Sequence, residues 1–368
     1  MVFILFLVII SFLTIMQAAI PFLLKKSVVF GVTIPEENAS DPVLANYKKT
    51  YSAIIFLSGL IGLIYFMTFS SSDYLDEETV VFRALLIQFL LLLISMVLYL
   101  IFHVKTTNRK RDNNWGSDLK KVRIADLSTR SADEMLPSLF FVLPIFITIG
   151  LIAYTGTQYS IMPDLIPTHW GPNGTPDAFS EKNPFSVVAL LLILLTMQLM
   201  MLSINIFTKK SGIKLNVAKR NSSRIQQLTF RKYTSWLLFF LTILLTILFG
   251  FFQLTTIHST LVGPILMMTV PLGSFVIILL ITALYAFKVG QGGARVNVEV
   301  IDQQAPGITD TDEDTYWKAG VFYVNRKDPS IFVEKRFGVG WTLNFGNPIG
   351  YLVIFIPLII ILVISLLL

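Results

Sequence analysis

Polar residues in this chain are gathered into short intervals, and between them run eight stretches of roughly 20 residues in which nearly every position is apolar. They cover residues 2–24, 51–70, 80–102, 136–157, 185–207, 236–256, 261–287 and 349–368. A run of that length crosses a hydrocarbon layer of about 30 Å as a helix. Barrel strands would be about 10 residues long with polar residues at alternate positions. The pattern predicts an all-α polytopic membrane protein of about eight transmembrane helices, organised as 1–135, 136–210, 211–287, 288–348 and 349–368.

Two intervals depart from this simple alternation. Between the fourth and fifth runs lies 166–183, which holds His169-Trp170 amid Pro167, Gly171, Pro172, Gly174 and Pro176. Proline fixes φ and glycine accepts positive φ, so this density predicts a compact, stiff series of turns.

The second interval, 288–348, opens with Gly290, Gly292 and Gly293, which read as a hinge, followed by Val296, Val298 and Val300 alternating with Asn297 and Glu299 as in a strand. An acidic linker over 302–314 follows. Aromatic and β-branched residues then alternate with turn formers from Tyr316 to Pro348, predicting a small antiparallel, β-rich cytoplasmic segment before the last helix. Phe337-Gly338-Val339 repeats Phe30-Gly31-Val32. The repeat suggests that both pieces pack into one cap; chance agreement of a short motif is the alternative.

Composition agrees with the spans: 54% of residues are hydrophobic, 14% are charged, and the mean hydropathy is +0.71. Cysteine is absent, which removes disulfides, thiolate nucleophiles and iron–sulfur ligation together. All of the 29 Lys and Arg except Arg83 and Lys182 fall in alternate intervals, 24–50, 103–135, 208–235 and 288–348. By the positive-inside rule these are cytoplasmic, which puts both termini and the 166–183 loop outside. The first run lacks a basic leader and reads as a span rather than a cleaved signal peptide. The net charge of +6 is then a topology signal and an attraction to anionic membrane lipid, with no direct nucleic-acid role.

Candidate chemistry on the outer face is sparse. Asp73, Asp76, Glu77 and Glu78 lie between spans two and three, where Arg83 is expected to pair with them. Asp164, His169, Asp177 and His258 lie in the other outer segments, and His169, Asp177 and His258 could ligate a divalent metal. The alternative is structural: Trp170 anchored at the headgroups, His169 bonded to a backbone carbonyl, and Asp177 capping a turn or helix.

No Asp, Glu or Lys sits at the centre of a span, which argues against an ion-coupled pump. Gln17, Gln88, Gln198, Asn205 and Gln253 read as interhelical hydrogen-bond partners, with a cavity lined by them as the other reading. No His-Glu-x-x-His, Gly-x-Ser-x-Gly or Walker pattern occurs, and no catalytic residue is assigned.

The stretch Ile-Pro-Thr-His-Trp-Gly-Pro-Asn-Gly-Thr-Pro-Asp resembles the signature of the SdpI-like family of bacterial membrane proteins. Pro167, His169, Trp170, Gly174, Pro176 and Asp177 carry the match, over residues of about 135 to 210. The tail from Trp317 to Pro348 is similar to one found on longer relatives in Gram-positive bacteria. The resemblance implies an immunity or sensing protein that meets an antimicrobial peptide toxin at its outer loop and captures a cytoplasmic transcriptional regulator. Trp317, Lys335, Arg336, Phe337, Gly338, Trp341 and Asn344 would offer the surface for such a partner. A transporter or channel for a small or lipid-like molecule, and a metal-dependent enzyme with an outer-face site, are the alternatives.

Overall fold

The computed structural model describes residues 2–70, 76–116, 120–122, 124–125, 133–171, 174–217, 219–300, 302, 308–310 and 313–368. Among these lie eight long apolar helices: α1 (Val2–Leu23), α2 (Pro42–Ser70), α3 (Glu77–Asp112), α4 (Leu139–Thr157), α5 (Ser186–Lys210), α6 (Arg220–Ile257), α7 (Pro264–Val289) and α8 (Pro348–Leu366). Their outward faces carry bare apolar side chains such as Phe82, Phe89, Phe146, Ile265 and Leu362. Water would penalise that surface and lipid does not. The chain is a multi-pass membrane protein.

Each helix matches one apolar run, but three overrun theirs, all at the same end of the bundle. α2 starts at Pro42, α3 continues to Asp112 and α6 starts at Arg220. At about 1.5 Å per residue, α3 and α6 are about 54 and 57 Å long, against a hydrocarbon layer of about 30 Å. Hydropathy records only what lipid touches. The extra turns are polar and rich in Lys, Arg and Gln, which are good helix formers. Residues 103–112 and 220–235 are therefore helical pillars, where the apolar pattern had predicted loops.

α1, α2 and α3 pack together, as do α4, α5 and α6; α8 lies on α5, and α7 on α6 and α1. Intramembrane amides join the second group. Gln198 Nε2 donates to Thr148 and Thr246 hydroxyls at 2.8 Å each. Gln253 Nε2 donates to the Val187 carbonyl at 2.9 Å, and Asn205 Oδ1 accepts from Ser235 Oγ at 2.7 Å. Among the described residues the buried amide of Gln17 and Nε2 of Gln88 find no partner.

Among the described residues the strands form six two-stranded sheets. β1 (Val28–Val29) pairs with β2 (Val32–Thr33), β3 (Lys120–Val122) with β8 (Ile308–Asp310), and β4 (Ile124–Ala125) with β7 (Lys214–Leu215). β5 (Leu165–Trp170) pairs with β6 (Pro176–Glu181), β9 (Trp317–Lys318) with β10 (Phe322–Tyr323), and β11 (Phe332–Glu334) with β12 (Trp341–Leu343). The β9–β12 ribbons are the expected antiparallel unit. It gathers with β1–β2 and the overrunning helix ends into a cap at one end of the bundle, and the β5–β6 hairpin occupies the other.

Two local expectations are corrected. Val296, Val298 and Val300 form no strand: Val296 and Val298 are half-buried between exposed neighbours, but among the described residues no second strand lies alongside to complete a ladder. The triple-glycine hinge is a site of close packing. A Cβ on Gly293 would lie 2.2 Å from the Gln226 carbonyl oxygen, and its φ of +81° suits glycine. Arg83 donates to the Phe69 carbonyl, one of the last carbonyls of α2, and its charge also acts on Asp76, one of the acids it was expected to meet. Asp76 caps α3 by accepting from Thr79 N at 3.1 Å, and Asp73 lies outside the described residues.

Candidate functional site

The signature loop is a β-hairpin rather than a series of turns. Pro167 and Pro176 are compatible with this because each strand of an isolated ribbon has one free edge, where a missing N–H costs nothing. Register slips on either side of His169 let the ribbon twist there. Its base is pinned twice. Lys182 N bonds to the Asp164 carbonyl at 2.8 Å, and Lys182 Nζ to that of Met162 at 2.7 Å, above the Tyr159 ring. Asn183 Oδ1 accepts from Phe185 N and Ser186 N at 2.9 Å each, which starts α5.

The hairpin is seated on the bundle through Trp170, whose ring lies 4.4 Å from that of Phe252 on α6. At its tip Gly174 touches backbone. A Cβ there would stand 2.9 Å from Met267 C and Met268 N in the first turns of α7, and φ is +78°. Seated in this way, the hairpin leaves His169 and Asp177 in the open, 68% and 50% exposed, with Nδ1 donating to Oδ1 at 2.5 Å. That bond fixes the imidazole tautomer and, among the described residues, leaves Nε2 without a hydrogen-bond partner. Asp177 therefore orients His169 and does not serve as a cap, and His169 meets a carboxylate instead of a carbonyl.

His258 stands apart from that pair, with Nε2 2.8 Å from the Tyr154 hydroxyl. Among the described residues no three His, Asp or Glu side chains converge as a metal site. The hairpin also presents two apolar side chains that the motif reading passed over: Phe179, 50% exposed, and Leu165, 55% exposed. The signal for them was an apolar residue within a polar outer loop.

At the opposite end the cap is held by charge. Asp314 accepts from Lys110 Nζ at 2.9 Å, from Thr33 Oγ1 at 2.9 Å, and from Arg336. Burial works against its ionisation, but Arg336 and Lys110 outweigh it and hold the carboxyl at about 2. Arg336 also donates to the Gly31 carbonyl at 2.9 Å, and the Phe337 ring stacks 6.0 Å from that of Phe30. The two Phe-Gly-Val pieces are thus in contact.

Asn344, fully buried, donates from Nδ2 to the carbonyls of Asn325, Asp328 and Ser330 and accepts from Asn325 N and Gly346 N, all within 2.9–3.1 Å. Of the residues expected to meet a partner, Trp317, Arg336 and Asn344 are buried in the cap: the Trp317 ring packs against Tyr323 and Arg336, and the polar groups of Arg336 and Asn344 serve the cap's own backbone. Phe337, Gly338 and Trp341 are half-buried, and Lys335 is exposed.

The deepest ion pair of the described residues was not legible at all. Arg231 on α6, with no exposed surface, grips Asp133 Oδ2 through Nε at 3.0 Å and Nη2 at 2.8 Å, and reaches the Lys209 carbonyl at 2.9 Å. Its guanidinium lies 5.9 Å from the Trp341 ring. In the sequence Arg231 was one more basic residue at a membrane boundary, and nothing local marked its partner 98 positions away.

These two ends define a helical membrane protein with a docked hairpin at one face and a charge-tied cap at the other. Residues 140–195, which include the hairpin, match a domain of unknown function, DUF1648. Residues 326–351, which include Asn344 and the start of α8, match a family of unknown function, DUF5808. Comparison with curated proteins and with solved structures gave no match.

Proposed function

We propose that this chain is a bacterial cell-membrane protein of the immunity and sensing type, SdpI-like in its hairpin, that recognises a membrane-active peptide there. The observation that carries this reading is the hairpin's surface. A fixed ribbon presents Phe179 and Leu165 beside the oriented His169–Asp177 pair, an apolar and polar combination suited to an amphipathic peptide at the level of the headgroups. With the Lys-rich and Arg-rich cap in the cytoplasm, the hairpin faces outward.

Transmission to a cytoplasmic regulator is the second half of the proposal. α6 supports it physically: Phe252 meets the hairpin, and Arg231, about six turns away, meets the cap. The peptide must bind two arrangements of this connection with different affinity, or nothing is transmitted.

The experiment compares survival of cells lacking the protein, restored with wild type, His169→Ala or Phe179→Ala at equal membrane levels, against a panel of membrane-active peptides. Sensitivity to one peptide class, rescued by wild type but not by the variants, is the expected result. Equal survival of the deleted and wild-type strains across the panel overturns the reading.

A further inference from the structure

A cavity of about 410 Å³ lies where the end of α1, the start of α6, the Gln291–Gly293 turn and the β11–β12 ribbon meet. Its wall holds Lys25, Lys26, Lys219, Lys335 and Arg336 against Glu36, Glu313 and Glu334. Most of these charges are already committed. Lys25 pairs with Glu334 at 2.8 Å, Lys219 with Glu36 at 2.6 Å, and Arg336 with Asp314; Glu313 is engaged as well.

Two cations are left over. Among the described residues neither Lys26 nor Lys335 has an acidic partner. In the same wall the indole N–H of Trp341 is buried and has no hydrogen-bond partner among the described residues. Both lysines are exposed and solvated, and the wall as a whole carries five cations against three carboxylates, an excess of positive charge that attracts an anion.

We propose that this cavity binds a phosphate ester, with Lys26 and Lys335 meeting the phosphate and the Trp341 N–H one of the ester's oxygens. The volume suits a small phosphorylated headgroup or metabolite. Lys26 lies three residues beyond the end of α1, where that helix leaves its apolar layer. Phosphate in this position comes either from an anionic phospholipid of the adjacent leaflet or from a soluble phosphate ester. The site is independent of the peptide reading of the hairpin.

The test uses the purified full chain. One arm compares thermal unfolding in nanodiscs of phosphatidylglycerol with nanodiscs of phosphatidylcholine. The other titrates glycerol phosphate into the protein in a neutral detergent. Stabilisation only in phosphatidylglycerol assigns the lipid source, and stabilisation by glycerol phosphate assigns the soluble one. In either arm Lys26→Gln and Lys335→Gln are expected to weaken the response about tenfold each, whereas Lys49→Gln, an exposed charge outside the cavity wall, leaves it unchanged. Lys26 and Lys335 are both exposed, so both variants are expected to fold and to read the site itself. No stabilisation in either arm, or an equal loss in all three variants as general charge attraction would give, overturns the proposal.

Discussion

The two ends of this protein are built on opposite principles. At the cap, segments far apart in sequence are joined by buried charge: Asp314 to Arg336, Lys110 and Thr33, and Asp133 to Arg231. At the hairpin, one aromatic contact and two backbone-directed bonds from the Lys182 segment do most of the seating, and the only ion pair described there is exposed. Removing one member of a buried pair strands the other, whereas an exposed pair releases both partners to water. Stability should therefore be concentrated at the cap, leaving the hairpin free to change its side chains with little effect on folding.

The largest test of that contrast is Asp133→Ala. It leaves Arg231, which has no exposed surface, without its carboxylate, and should cost about 3–5 kcal/mol of stability in thermal unfolding of the detergent-solubilised protein. The double variant Asp133→Ala with Arg231→Met should recover most of the loss, because no charge is then stranded. A loss of under about 1 kcal/mol for the single variant would place the pair among surface bridges and break the comparison at its stronger end.

Asp314 comes next, and pH is its probe. Its folded pKa of about 2 lies below the ordinary value of 3.8, so the ionised form is favoured by folding. The sign follows: the stabilisation is fully present above about pH 4 and is lost as pH falls from 3.8 towards 2. With its side chain 28% exposed, the effect should be about 2 kcal/mol. Asp314→Asn should flatten the stability profile across that window and loosen the β1–β2 piece from the cap, seen as faster amide exchange at Val32 and Thr33.

How much of this could be read in advance divides along the same line. The eight spans were legible because lipid imposes one simple requirement on about 20 successive residues, and each residue reports it independently. The antiparallel ribbons of the cap were legible from their aromatic and β-branched composition. Asp133–Arg231 was not, since a contact across 98 residues depends on how α4, α5 and α6 stack, and no local pattern encodes it. Val296 to Val300 shows the converse case. Its alternation matched the burial of Val296 and Val298 but not that of Val300, which is exposed, and a strand also needs a neighbour, which a single segment cannot announce. At the hairpin His169, Trp170 and Asp177 stood out by type and spacing, whereas the ribbon itself was hidden by its prolines.

Trp170→Ala sharpens the comparison at the weaker end. The indole stacks on Phe252, an aromatic pair worth about 0.5–1.5 kcal/mol beyond its buried area. Its loss should unseat the hairpin locally, with faster amide exchange from Leu165 to Glu181 and little change in the exchange of the cap. Uniform loss of protection at both ends would mean that the hairpin is an integral part of the bundle rather than an element docked on it.

The smallest effect on folding is expected at His169, and that is where function should separate from stability. The imidazole and the Asp177 carboxylate are 68% and 50% exposed, so exchanging their bond for water should change thermal unfolding by less than about 1 kcal/mol. If the hairpin recognises a peptide, His169→Ala should nevertheless remove protection against it, and Asp177→Asn, which keeps the shape of the side chain but offers the imidazole a weaker acceptor, should remove only part. A graded loss in that order at unchanged stability would point to recognition by an oriented imidazole. Unfolding of both variants to the same extent as Asp133→Ala would instead make the hairpin a structural element as firmly fixed as the cap, and would withdraw the physical ground for placing recognition there.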